Sequence, residues 1–108
     1  MRRTRFGAME ITTALLERKP LGGFPDCLLA NELGEIMRGA DEAESEAAKS
    51  GLMELLTLGD HDVAVITHCY LTEAAEEHPD IRELLDEFNA DPKNREVVEE
   101  AAMTLAKV

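Results

Sequence analysis

Apolar residues recur along this chain every three to four positions, and Gly, Pro and Asp break the pattern at short intervals. That period predicts six helices. The first spans about 8–18, with Met9, Thr12, Thr13 and Leu16 on one stripe and Leu15 beside it. Pro20-Leu21-Gly22-Gly23-Phe24 ends it as a hairpin turn. The second starts with Pro25 in its first position, where a missing N–H costs nothing, and runs to about Arg38. Gly39 follows it as a helix stop.

Asp41 with Glu44 reads as a capping box, so the third helix covers about 42–58 and Gly59 closes it. Gly51 lies inside that helix, where it marks close packing or a weak point. The fourth covers about 61–77 after Asp60. Val63, Ala64, Val65, Ile66, Cys69, Tyr70 and Leu71 make it apolar nearly all round, which places it at the centre. His78-Pro79-Asp80 opens the fifth, about 79–89, with Ile81, Leu84, Leu85 and Phe88 as its stripe. Asp91-Pro92 turns into the sixth, about 93–107. Residues 1–7 read as a flexible basic N-terminus, and 8–108 as a single helical domain.

The second helices of each pair align with one another. Leu33, Leu71 and Leu105 correspond, and Ile36, Ala74 and Val108 fall in register. A leucine pair precedes each unit: Leu15-Leu16, Leu55-Leu56 and Leu84-Leu85. One helical hairpin cannot bury both of its faces, but three stacked hairpins can cover the middle one. On this reading the last eighteen residues are a final repeat unit.

These positions resemble the HEAT-repeat family, including its short, phycobilisome-lyase-type variants. Leu84-Leu85, Asp91-Pro92, Val97 or Val98, Ala101-Ala102, Leu105 and Val108 carry the resemblance, with Leu33-Gly34-Glu35-Ile36 at the first repeat. Asp60-His61-Asp62-Val63 departs from it, and His68 stands where the other units have Ala30 and Ala102. The resemblance implies an all-α, right-handed α-α superhelix, a short solenoid of three hairpins. Another six-helix arrangement remains the alternative.

Aromatics are only 4% of residues and Trp is absent, so the core must be built from Leu, Val, Ile, Ala and Met. The chain carries 23 acidic and 11 basic residues, a net charge of −12. The acidity lies mostly beyond residue 54. Such a chain is unsuited to neutralising phosphates, so no direct nucleic-acid binding is expected. A basic protein partner is electrostatically suited to it, and solubility alone would also explain the charge. No apolar run is long enough to span a membrane. Met1-Arg2-Arg3-Thr4-Arg5 lacks the apolar stretch of a signal peptide. Cys27 and Cys69 read as small buried hydrophobes in a reducing, cytoplasmic compartment.

The His spacings of His61, His68 and His78 do not suit a metal site on one helix face, and no cofactor is expected. The carboxylates are spread along helix surfaces, and no Ser-His-Asp or Cys-His pattern is visible, so no enzyme is expected. A solenoid presents its second helices on a concave face. There the resemblance implies an acidic groove of Asp26, Glu32, Glu35, Asp62, Glu73, Glu96, Glu99 and Glu100. His68 reads as a satisfied, partly buried ring or as a contact on that inner groove. A basic peptide or protein surface would be the ligand. Two alternatives share the acidity: a small mimic of nucleic-acid charge that inhibits a DNA- or RNA-binding protein, and an accessory or chaperone-like subunit of an enzyme. The apolar last hairpin also predicts a homodimer through that end.

Overall fold

The computed structural model describes residues 6–106. The chain is all-helical. Its elements are α1 (Ala8–Glu17), α2 (Asp26–Met37), α3 (Glu42–Leu58), α4 (His61–Ala74), α5 (Pro79–Ala90), a 3-10 helix (Pro92–Asn94) and α6 (Arg95–Ala106). Among the described residues the only β pairing is an isolated bridge between Leu21 and Phe24. It closes the turn in which Gly22 and Gly23 take φ of 61° and 74°, a conformation in which a side chain is strained.

The helix starts follow local chemistry. The Asp41 carboxylate accepts from the Glu44 N–H at 3.1 Å, and that of Asp60 accepts from Val63 N–H at 3.1 Å. Both satisfy donors that a helix start leaves free. Glu44 does not complete the expected capping box. Its Oε1 accepts from Ala8 N–H at 3.2 Å, tying the start of α1 to that of α3. Ser45 donates to the Met37 carbonyl and fastens the end of α2 to α3.

Several boundaries differ from the sequence reading. Pro25 is the cap of α2 rather than its first residue. Arg18 takes a left-handed φ of 56° and ends α1 at Glu17. α4 stops at Ala74, because residues 75–77 form a turn ahead of Pro79. The 3-10 helix takes up the first residues assigned to the sixth helix, since Asp91 accepts from Lys93 N–H at 3.0 Å and holds a tighter turn. Residues 107–108, and residues 1–5 of the expected flexible segment, lie outside the described residues. Phe6 and Gly7 take part in the fold: the Phe6 ring meets Phe24 edge-on at 6.2 Å, and Gly7 caps α1.

α1, α2 and α3 pack on one another, and α4 packs on α2, α3, α5 and α6. The first two helix pairs are therefore closed hairpins. The third pair is not: α5 and α6 each pack on α4 and are joined mainly through the 3-10 helix. Ile11, Leu29, Leu33, Leu52, Leu55, Leu56, Leu71 and Ile81 fill the continuous core. A smaller cluster of Val65, Cys69 and Ala101 joins α4 to α6. α4 is central, yet α2 buries as large a share of its length, because α1, α3 and α4 all cover it. The radius of gyration is 13.0 Å, the size of a compact globule of about 100 residues. No helix among the described residues is long and apolar enough to cross a membrane.

Candidate interaction surface

Residues of α2, α4 and α6 line one cleft of about 180 Å³. Tyr70 is one of its walls. Its side chain projects from α4 across Gly34 of α2, where any larger residue would collide with the ring. The phenol oxygen lies 3.0 Å from Glu35 Oε2 and 3.2 Å from Asn31 Oδ1. Asn31 is itself oriented, because its Nδ2 donates to the Cys27 carbonyl at 2.9 Å. Burial, and then the hydrogen bond to Glu35, push the Tyr70 phenol up to about 12. It therefore stays a neutral donor at physiological pH.

Arg38 stands between two acidic groups. Its Nη1 is 3.7 Å from Glu35 Oε2 and 3.9 Å from Glu73 Oε2. All three side chains are about half exposed, so these pairs contribute little to stability and leave the charges open to exchange partners. Ile66, Cys69 and Leu105 form the apolar floor beneath them. The Cys69 thiol donates to the Ala101 carbonyl at 3.6 Å, and burial, with Glu73 adding to it, pushes its pKa up.

A second acidic group lies where α4 begins beside α6. His61 Nε2 donates to Glu100 Oε1 at 3.0 Å. That bond raises the imidazole pKa; burial opposes it, and the charges of Glu100, Asp62 and Glu96 add to the rise. Glu99 turns away and pairs with Arg95 at 3.0 Å.

The expected groove residues are thus brought together only in part. Glu35 and Glu73 share the cleft, and Asp62, Glu96 and Glu100 share the His61 end. Glu32 faces another flank of α2, where it is buried in a separate pocket with Asp41 and Glu44. His68 is not a groove residue. It is buried, faces α5, donates from Nε2 to Asn89 Oδ1 at 2.8 Å, and lies against the Phe88 ring at 5.7 Å. Thr72 Oγ1 sits 3.2 Å from its Nδ1. A helical period puts residue 68 on the side of α4 away from residues 62, 66, 69 and 73. Cys27 is exposed rather than buried, and only Cys69 behaves as a core residue.

Arg38 and Tyr70 were missed as site residues. The signal for them was position: Asn31, Glu35 and Arg38 follow a helical stripe on α2, and Ile66, Tyr70 and Glu73 follow one on α4. Much of the apolar surface assigned to a dimer contact is covered, since Ile81, Leu85, Phe88 and Ala101 are buried. Met103, 60% exposed, is the large apolar side chain that α6 leaves in solvent. Among the described residues no three His, Cys, Asp or Glu side chains converge as metal ligands. No family model, curated protein or solved structure matches the chain.

Proposed function

We propose that this chain is a non-enzymatic interaction module that holds a basic segment of a partner protein across α2, α4 and α6. The observation that carries the reading is the cleft itself. Glu35 and Glu73 flank it, an apolar floor lies below, and Asp62, Glu96 and Glu100 continue the acidity along α4 and α6. Arg38 and His61 occupy the positions that a partner's cations would take. A lysine- or arginine-rich segment exchanges with them at little cost, because exposed ion pairs are weak.

The contact order of α1 on α3, α2 on α4 and α4 on α6 supports a short HEAT-like superhelix as the architecture behind this surface. α5 departs from that order, since it packs on α4 and not closely on α3.

The test is to capture partners from the source cell, identify them by mass spectrometry, and measure the binding of a basic one at rising salt. Glu35→Gln with Glu73→Gln should slow association more than it speeds dissociation, because exposed charges mainly steer encounter. Glu96→Gln, Glu99→Gln and Glu100→Gln together should act in the same direction. A captured partner whose association rate ignores both sets of substitutions rules the reading out.

A second reading has its own support. Exposed acids also cover the outer faces, with Glu83, Asp86 and Glu87 on α5 and Glu42, Glu46 and Glu54 on α3. Charge spread in this way suits a mimic of nucleic-acid phosphates. Such a mimic would displace duplex DNA from its partner, and Glu83→Gln with Glu87→Gln would weaken it more than changes in the cleft.

A further inference from the structure

We propose that the pocket holding Glu32 receives one guanidinium group, the head of an arginine side chain on a partner protein. The pocket is distinct from the cleft and does not depend on it. It measures about 270 Å³ and is lined by Glu32, Asp41, Glu44, Phe6 and Ile36, with no Lys, Arg or His among its described lining residues.

Two of its three carboxylates are already employed. Asp41 accepts from Glu44 N–H and Glu44 accepts from Ala8 N–H, which fixes the starts of α3 and α1 as pocket walls. Glu32 is different. It is only 8% exposed, and among the described residues no donor reaches its carboxylate. Nor are its oxygens sealed in the core, since Thr67 Oγ1 is the side-chain atom that is both sealed and unpartnered among the described residues. The carboxylate opens onto the pocket. The Glu32 side chain has given up most of its water and gained no donor in return among the described residues, which is costly for a carboxylate. An incoming cation that also donates hydrogen bonds removes that cost and offsets the crowding of three acids.

The shape of the site selects the cation. Its acids do not converge as metal ligands. The Phe6 ring and Ile36 give it apolar walls. A guanidinium is flat, weakly hydrated and able to stack on an aromatic ring, and it presents several donors at once; an ammonium is more strongly hydrated and does not stack in this way.

The test uses amide correlation spectra of the full chain titrated with N-acetyl-L-arginine methylamide. The neutral citrulline analogue and the lysine analogue serve as controls. The arginine probe should shift the amides of Gly7, Glu32 and Gly39 saturably while leaving Tyr70 and Thr104 in place. The lysine analogue should bind more weakly and the citrulline analogue not at all. Glu32→Gln should weaken the arginine probe at least about tenfold, the scale of one charge-assisted hydrogen bond. It should also raise the melting temperature of the free protein, which a residue needed only for the fold would not do. Ala40→Trp, on the exposed rim, should abolish the shifts and serves if Glu32→Gln does not fold. Equal binding of citrulline, or unchanged arginine binding in both variants, overturns the proposal. Arg2→Gln, Arg3→Gln and Arg5→Gln together should leave the affinity unchanged. Binding that appears only after those three changes identifies the chain's own arginines as the occupant and overturns a partner's.

Discussion

The ring of Tyr70 fills the space in which a β-carbon on Gly34 would stand. Two effects then oppose each other at residue 34. Alanine in a helix interior is favoured over glycine by about 1 kcal/mol. Displacing a packed ring costs roughly 1–3 kcal/mol. Gly34→Ala should therefore destabilise the protein, and the same change should stabilise it once Tyr70→Ala has emptied the space. Urea melts of the four proteins measure the coupling. Independent, additive effects would show that the ring yields freely.

Leu71 is fully buried in the last turn of α4. Leu71→Ala should cost about 2–5 kcal/mol, the range for large core truncations. The denaturation midpoint should fall while the slope holds. A loss under about 0.5 kcal/mol would remove Leu71 from the core.

Thr67 is also fully buried, and its hydroxyl has no hydrogen-bond partner among the described residues. Valine has the same shape without the polar group. Thr67→Val should stabilise the protein by up to about 1–3 kcal/mol, the cost of a stranded donor. Thr67→Ser keeps the hydroxyl, deletes a methyl, and should destabilise by about 1 kcal/mol. Thermal melts that rank serine above valine would show that the hydroxyl is satisfied in solution.

His61 and Asp80 predict opposite pH limits. Glu100 raises the folded-state pKa of His61 above the ordinary value of about 6.5. The stabilisation from that pair is present below about 6.5 and is lost as pH rises through the folded-state value. The hydrogen bond from Lys49, at 2.8 Å, lowers the pKa of Asp80. That stabilisation is present above about 3.9 and is lost as pH falls through the folded-state value. Both groups are largely exposed, so each contribution is small. Proton NMR titration of the His61 ring should show its pKa falling toward the ordinary value in Glu100→Gln. An unchanged titration would break the pair.

The six helices were legible because punctuation and period agree along the chain. Asp41 and Asp60 cap helices through their carboxylates, and Gly22-Gly23 turn the chain at positive φ, as their local chemistry demands. The end of α4 was not legible, since Ala75, Glu76 and Glu77 are good helix formers and only the approach to Pro79 turns them out. The acidic surface was legible as composition and only partly as a site. Glu32 was misplaced because its charge suggested solvent. Its position suggested otherwise, as it stands among Leu29, Leu33 and Ile36 on the buried stripe of α2. For His68 the reading as a satisfied, buried ring holds; the groove alternative fails, because alignment with alanines says where a residue lies along a helix and not which neighbour covers it. Arg38 and Tyr70 matter through a contact between two helices, which no local pattern records.

The open third pair has a consequence for motion. α6 has a single fully buried residue, Ala101, and rests on α4 without close support from α5. α1, α2 and α3 brace one another. The molecule therefore divides into cooperative units of unequal strength. Amide protons of α6 should exchange with solvent through a local opening in which α1–α3 stay closed, while those facing Leu33 and Leu52 wait for global unfolding. A partner laid across α2, α4 and α6 would stitch the weaker unit to the stronger one. Its binding would then be read as slower exchange along α6, at residues it need not touch.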